Sequence, residues 1–68
     1  MKQVKKILEY QEKIISVCPP SEYAYIDDIA IDCLASPAGK NKNFMHAIDD
    51  LIANGRLLLC GNQVKLIQ

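Results

Sequence analysis

The stretch from Arg56 to Ile67, RLLLCGNQVKLI, leaves this chain few ways to fold. Gly61-Asn62 is a two-residue turn between apolar runs. Such a pair closes a type I′ or II′ hairpin, because its backbone matches the twist of the strands on either side. Folding about it pairs Cys60 with Gln63, Leu59 with Val64, Leu58 with Lys65 and Leu57 with Leu66. One face of the ribbon is then Leu57, Leu59, Val64 and Leu66, wholly apolar, and must lie against another layer. The other face carries Arg56, Leu58, Cys60, Gln63, Lys65 and Ile67. A lone hairpin is marginal in water, so the rest of the chain has to cover it.

The covering layer is helical. Phe44, Ile48, Leu51 and Ile52 recur at steps of three and four and form a buried stripe flanked by Ala47 and Met45. At about 100° per residue, the opposite side holds Lys42, Asn43, His46, Asp49, Asp50 and Ala53. Asn41 or Asn43 caps the start of this helix, and Asn54-Gly55 stops it with a left-handed residue. Two helices precede it. Val4, Ile7, Leu8, Ile14, Ile15 and Cys18 fall on one stripe of a helix over residues 2–18, which Pro19-Pro20 ends. Ile26, Ile29, Ala30, Cys33 and Leu34 mark a second, two-turn helix with Asp27 and Asp28 in its first turn, where acids suit the helix dipole. Ile31 falls off that stripe. Between these helices Tyr23 and Tyr25 alternate, and they can supply a short edge strand to the hairpin. Residues 35–40 read as a loop.

Sixty-eight residues make one domain, 1–68, and at this size burial and chain entropy nearly cancel, so every apolar face must be used. Eight basic and eight acidic side chains give no net field toward nucleic acid or a membrane surface, so electrostatic recognition has to be local. No apolar run approaches a membrane span, and Glu9, Glu12 and Lys13 break the stretch a signal peptide needs. The expectation is a soluble, cytoplasmic protein.

Cys18, Cys33 and Cys60 are scattered, which is not a disulfide framework. A Cys3His zinc site with His46 would lack the closely spaced ligand pair such sites use, so no metal and no cofactor is expected. Gly39-Lys40-Asn41-Lys42 lacks the full spacing of a phosphate-binding loop. His46 is the single histidine and has no sequence-local nucleophile beside it, so the chain is not expected to be an enzyme.

The order helix, short strand, helix, helix, hairpin resembles the winged helix-turn-helix family over nearly the whole length. The resemblance is carried by YIDDIA opening the second helix, AIDDLIANGRL ending the third, and the hairpin from Leu57 to Ile67. It implies an α+β, mostly helical fold: a three-helix winged helix-turn-helix with a C-terminal two-stranded β-hairpin and Tyr23-Tyr25 as a candidate third strand. In such proteins the third helix enters the major groove of double-stranded DNA while the wing follows a neighbouring backbone. By position, Lys42, Asn43 and His46 would read bases, with Asp49 and Asp50 beside them. Lys40, Arg56 and Lys65 would contact phosphate. This implies a transcriptional regulator or accessory DNA-binding factor, acting as a dimer or with a helper protein. The alternative is a winged-helix module for protein–protein contact, a subunit or adaptor. Net neutrality, the acidic third helix and the outward Leu58 and Ile67 point that way, and with Tyr23 those two would form the interface to a protein partner or a second copy.

Overall fold

The computed structural model describes residues 3–67. Lys2, expected in the first helix, lies outside the described residues. The elements follow as α1 (Val4–Val17), β1 (Tyr23–Tyr25), α2 (Ile26–Asp32), a 3-10 turn (Ala38–Lys40), α3 (Lys42–Ala53), β2 (Leu57–Cys60) and β3 (Gln63–Leu66). The result is a mostly helical α+β domain, three helices on one antiparallel sheet of order β1-β3-β2. No helix among the described residues is long and apolar enough to cross a membrane.

The hairpin takes the register that its turn dictates: Cys60 lies opposite Gln63, Leu59 opposite Val64, Leu58 opposite Lys65 and Leu57 opposite Leu66. The aromatic segment does form a strand, β1, on the far side of β3, with Tyr23 opposite Lys65 and Tyr25 opposite Gln63. Because paired residues share a face, Tyr23, Lys65 and Leu58 make one row across the outer surface, and Tyr25, Gln63 and Cys60 the next. The Lys65 ammonium lies 5.2 Å from the centre of the Tyr23 ring. On the inner face Leu57 and Val64 are buried and Leu66 is half-buried. Leu59 departs from the expected inward set, being 53% exposed. It shares a row with Val64 but lies nearer the Gly61-Asn62 turn than Leu57, which on the same strand is buried.

α3 buries Phe44, Ala47, Ile48 and Leu51, with Met45 and Ile52 on the flanks of the stripe. Its end is a Schellman motif. Arg56 N–H donates to the Leu51 carbonyl at 2.8 Å and Gly55 N–H to Ile52 at 3.1 Å, with Gly55 at φ 75°.

The first helix is turned from its expected orientation. Ile7, Ile14 and Cys18 are buried, but Val4 and Leu8 are exposed, and Tyr10 and Val17 pack against the core instead. At about 100° per residue this rotates the buried face by roughly 60° toward Tyr10. The cause is Tyr10, whose ring meets Phe44 edge-on at 5.9 Å and 87°. An aromatic ring buries more area than the edge of an aliphatic stripe.

The second helix is also shorter than its periodicity suggests. Leu34, expected in the core, is 89% exposed. Leu34 adopts φ 57°, the left-handed conformation, and closes a second Schellman motif in which Ala35 N–H donates to Ala30 at 2.7 Å and Leu34 N–H to Ile31 at 3.1 Å. The reversal throws Leu34 outward and puts Ala35 in the core. Glycine normally holds this position, and its absence hid the stop.

Candidate nucleic-acid interface

The start of α3 is built on Asn41. Its side-chain oxygen accepts from Phe44 N–H at 3.0 Å, which caps the helix. Its amide nitrogen donates to the Tyr10 hydroxyl at 3.2 Å. Both ends of the amide are therefore engaged, and Asn41 is a structural residue. Lys40 and Lys42 flank it, exposed.

Tyr10 lies in a shallow surface groove with Lys6, Glu9 and Lys13. The Lys13 ammonium is 5.7 Å from the Tyr10 ring centre. The Tyr10–Asn41 hydrogen bond ties this groove, with Lys6 and Lys13 of α1, to the start of α3, where Lys40 of the 3-10 turn and Lys42 of α3 flank Asn41. Glu9 is the acid that lines the groove. The unpaired N–H groups at the helix start add positive potential there, and Asp49 and Asp50 lie on later turns. The net-neutral chain has segregated its charge along this helix.

The sequence-predicted site residues divide. Lys42 and His46 lie on the first half of α3, with His46 half-buried, and Lys40 ends the 3-10 turn just before it. Asn43 also lies there, but its amide donates to Gln3 Oε1 at 3.0 Å, tying it to the start of α1. Arg56 follows the other end of α3, which at twelve residues is about 18 Å long. It does not join the lysine cluster. Lys65 is drawn over Tyr23 on the outer sheet face, where Leu58 shares its row. Tyr23, Leu58 and Ile67 are all exposed.

The predicted site residues leave out Tyr10, Lys6 and Lys13. The signal for Tyr10 was present: it falls three residues after Ile7 and four before Ile14, on the buried face. The two lysines could be placed only once that face was known.

The three thiols are free, Cys18 and Cys33 buried and Cys60 exposed. Burial pushes the Cys18 thiol above its ordinary 9.0, and the neighbouring Cys33 pushes it further. Burial raises Cys33 as well, with Lys13 acting against it. Among the described residues no group of three or more His, Cys, Asp or Glu side chains is placed to hold a metal ion.

The chain matches no protein-family model, no curated protein and no solved structure.

Proposed function

We propose that this chain is a winged helix-turn-helix protein that binds double-stranded DNA through the start of α3, as a transcriptional regulator or accessory factor. The observation that supports this most is the lysine surface around Tyr10 and Asn41. Lys6 and Lys13 line the groove at Tyr10, Tyr10 is bonded to Asn41, and Lys40 and Lys42 stand on either side of Asn41 at the positive end of α3. His46, one turn further on, is the residue left free to reach a base edge, since Asn43 is bonded to Gln3. The free thiols suit a reducing compartment, and we place the protein in the cytoplasm.

Fluorescence anisotropy with a labelled duplex tests this reading. Neutralising about four phosphates gives weak binding by a single protomer, with a log-log salt slope of roughly −3 to −4. Lys40→Ala with Lys42→Ala should flatten that slope by about 2. No binding at low salt, or a slope unchanged by the double substitution, refutes it. The second reading, a protein-contact module, is favoured by the exposed Tyr23, Leu58 and Ile67 on the outer sheet face. It predicts no response to DNA.

A further inference from the structure

Seating Tyr10 in the core leaves an apolar stripe on the flank of α1. Val4, Leu8, Gln11 and Ile15 follow one another at steps of four, three and four. At about 100° per residue they fall within roughly 60° of one another around the helix. Val4 is 60% and Leu8 53% exposed, while Gln11 and Ile15 are half-buried. This spacing is that of a helix-pairing seam, with Leu8 and Ile15 at a positions and Val4 and Gln11 at d. The e positions beside it are Lys5 and Glu12, both exposed. The g positions are Ile7 and Ile14, which are buried in the chain's own core. The seam therefore has one charged border, and that border carries one charge of each sign.

We propose that a second copy of this chain covers the stripe, α1 packing antiparallel against α1 about a two-fold axis that crosses the seam midway between Leu8 and Gln11. The charges select both the occupant and the direction. An antiparallel pair sets the e positions of the two helices against each other, so Lys5 of each copy meets Glu12 of the other. The complement of this border is thus already present on the chain itself. A parallel pair would set e against g, and here g is apolar and buried, so neither charge would find a partner. In the antiparallel register Val4 faces Ile15 and Leu8 faces Gln11, each twice. One polar residue in such a seam specifies register at a cost in stability. The surface covered is roughly a few hundred Å² per protomer, short of the roughly 800 Å² of a standard interface. The dimer therefore exchanges with monomer and depends on concentration. Lys6 and Lys13 lie about 180° around α1 from the stripe, so the pairing is independent of DNA binding.

Sedimentation equilibrium with charge exchange reads the register. The weight-average mass of the unaltered chain should rise from 7.6 kDa toward twice that value between about 10 μM and 1 mM. Lys5→Glu should weaken self-association about tenfold, because both cross-pairs become Glu against Glu, and Glu12→Lys should do the same with Lys against Lys. An equimolar mixture of the two variants should recover association, since each cross-pair is then Glu against Lys. The double variant Lys5→Glu with Glu12→Lys should recover it as well. Both positions are exposed, so every variant should keep its helical circular dichroism. Leu8→Lys should abolish the rise in mass, and Leu58→Lys, on the outer sheet face, should leave it unchanged. An unaltered chain that stays monomeric across this range overturns the proposal. A mixture that associates no better than either single variant overturns the antiparallel register. Loss of association with Leu58→Lys but not with Leu8→Lys places the second copy on the sheet and overturns it too.

Discussion

Asn41→Ala should cost far more than a surface asparagine normally does. The substitution removes two interactions at once. The cap to Phe44 N–H, at 3.0 Å, is worth about 1 kcal/mol, with a range of roughly 0.5–2. The part-buried bond from the amide to the Tyr10 hydroxyl, at 3.2 Å, adds about 0.5–1.5 kcal/mol. Together they come to about 2 kcal/mol, a large share of the roughly 3–10 kcal/mol expected for a domain of this length. The midpoint of thermal unfolding should fall by about 8–16 °C. Urea unfolding followed by far-ultraviolet circular dichroism gives the free energy directly. Tyr10→Phe removes only the second interaction, keeps the edge contact with Phe44, and should cost about 1 kcal/mol. In a double-mutant cycle the two changes should couple by about 1 kcal/mol, because the cap belongs to Asn41 alone. A loss below about 0.5 kcal/mol for Asn41→Ala, or zero coupling with Tyr10→Phe, refutes the view that this bond docks α1 onto the start of α3.

Leu34→Gly should stabilise the domain by about 0.5–1 kcal/mol, because glycine adopts φ 57° without the roughly 1–2 kcal/mol a leucine side chain incurs there; a lower urea midpoint contradicts the Schellman assignment. Ile48→Asp buries an unpaired carboxylate at the centre of the core stripe and should leave the chain unfolded by circular dichroism at neutral pH. A thiol reagent at neutral pH should modify Cys60 quickly in the native protein and leave Cys18 and Cys33 protected, as mass spectrometry of peptides will show. The same two thiols have pKa values raised by folding, so their contribution to stability is present below pH 9 and declines as pH rises above it, where the unfolded chain gives up the protons first.

The hairpin was legible because a two-residue turn sets the register and a period of two then assigns every side chain to a face. The third helix was legible for a similar reason: Asn41 and Asn54-Gly55 are local chemistry at its two ends. The faces failed where a local rule had competitors. Aliphatic residues extend well to one side of Ile7 and Ile14 in α1, and only the contact with Phe44 shows that Tyr10 on the other side wins. At Leu34 the stop is made by a residue that rarely adopts the left-handed conformation, so periodicity ran on past it. Leu59 fits the alternation but lies nearer the turn than the buried Leu57, and how far the cover reaches along a strand is a tertiary property. The site was half legible for the same reason. Lys42 and His46 follow from helix phase, whereas the groove of Lys6 and Lys13 is tied to the start of α3 by a bond between residues 31 apart, and Asn43 is engaged by Gln3 at a separation of 40.

The central claim is that the start of α3 meets DNA, and an amide chemical-shift titration with a short duplex at low salt addresses it residue by residue. The account predicts shifts concentrated at residues 40–46 and at Lys6, Tyr10 and Lys13, with Leu58 and Cys60 unmoved. Shifts that spare the start of α3, or none at all while the protein remains folded, contradict it.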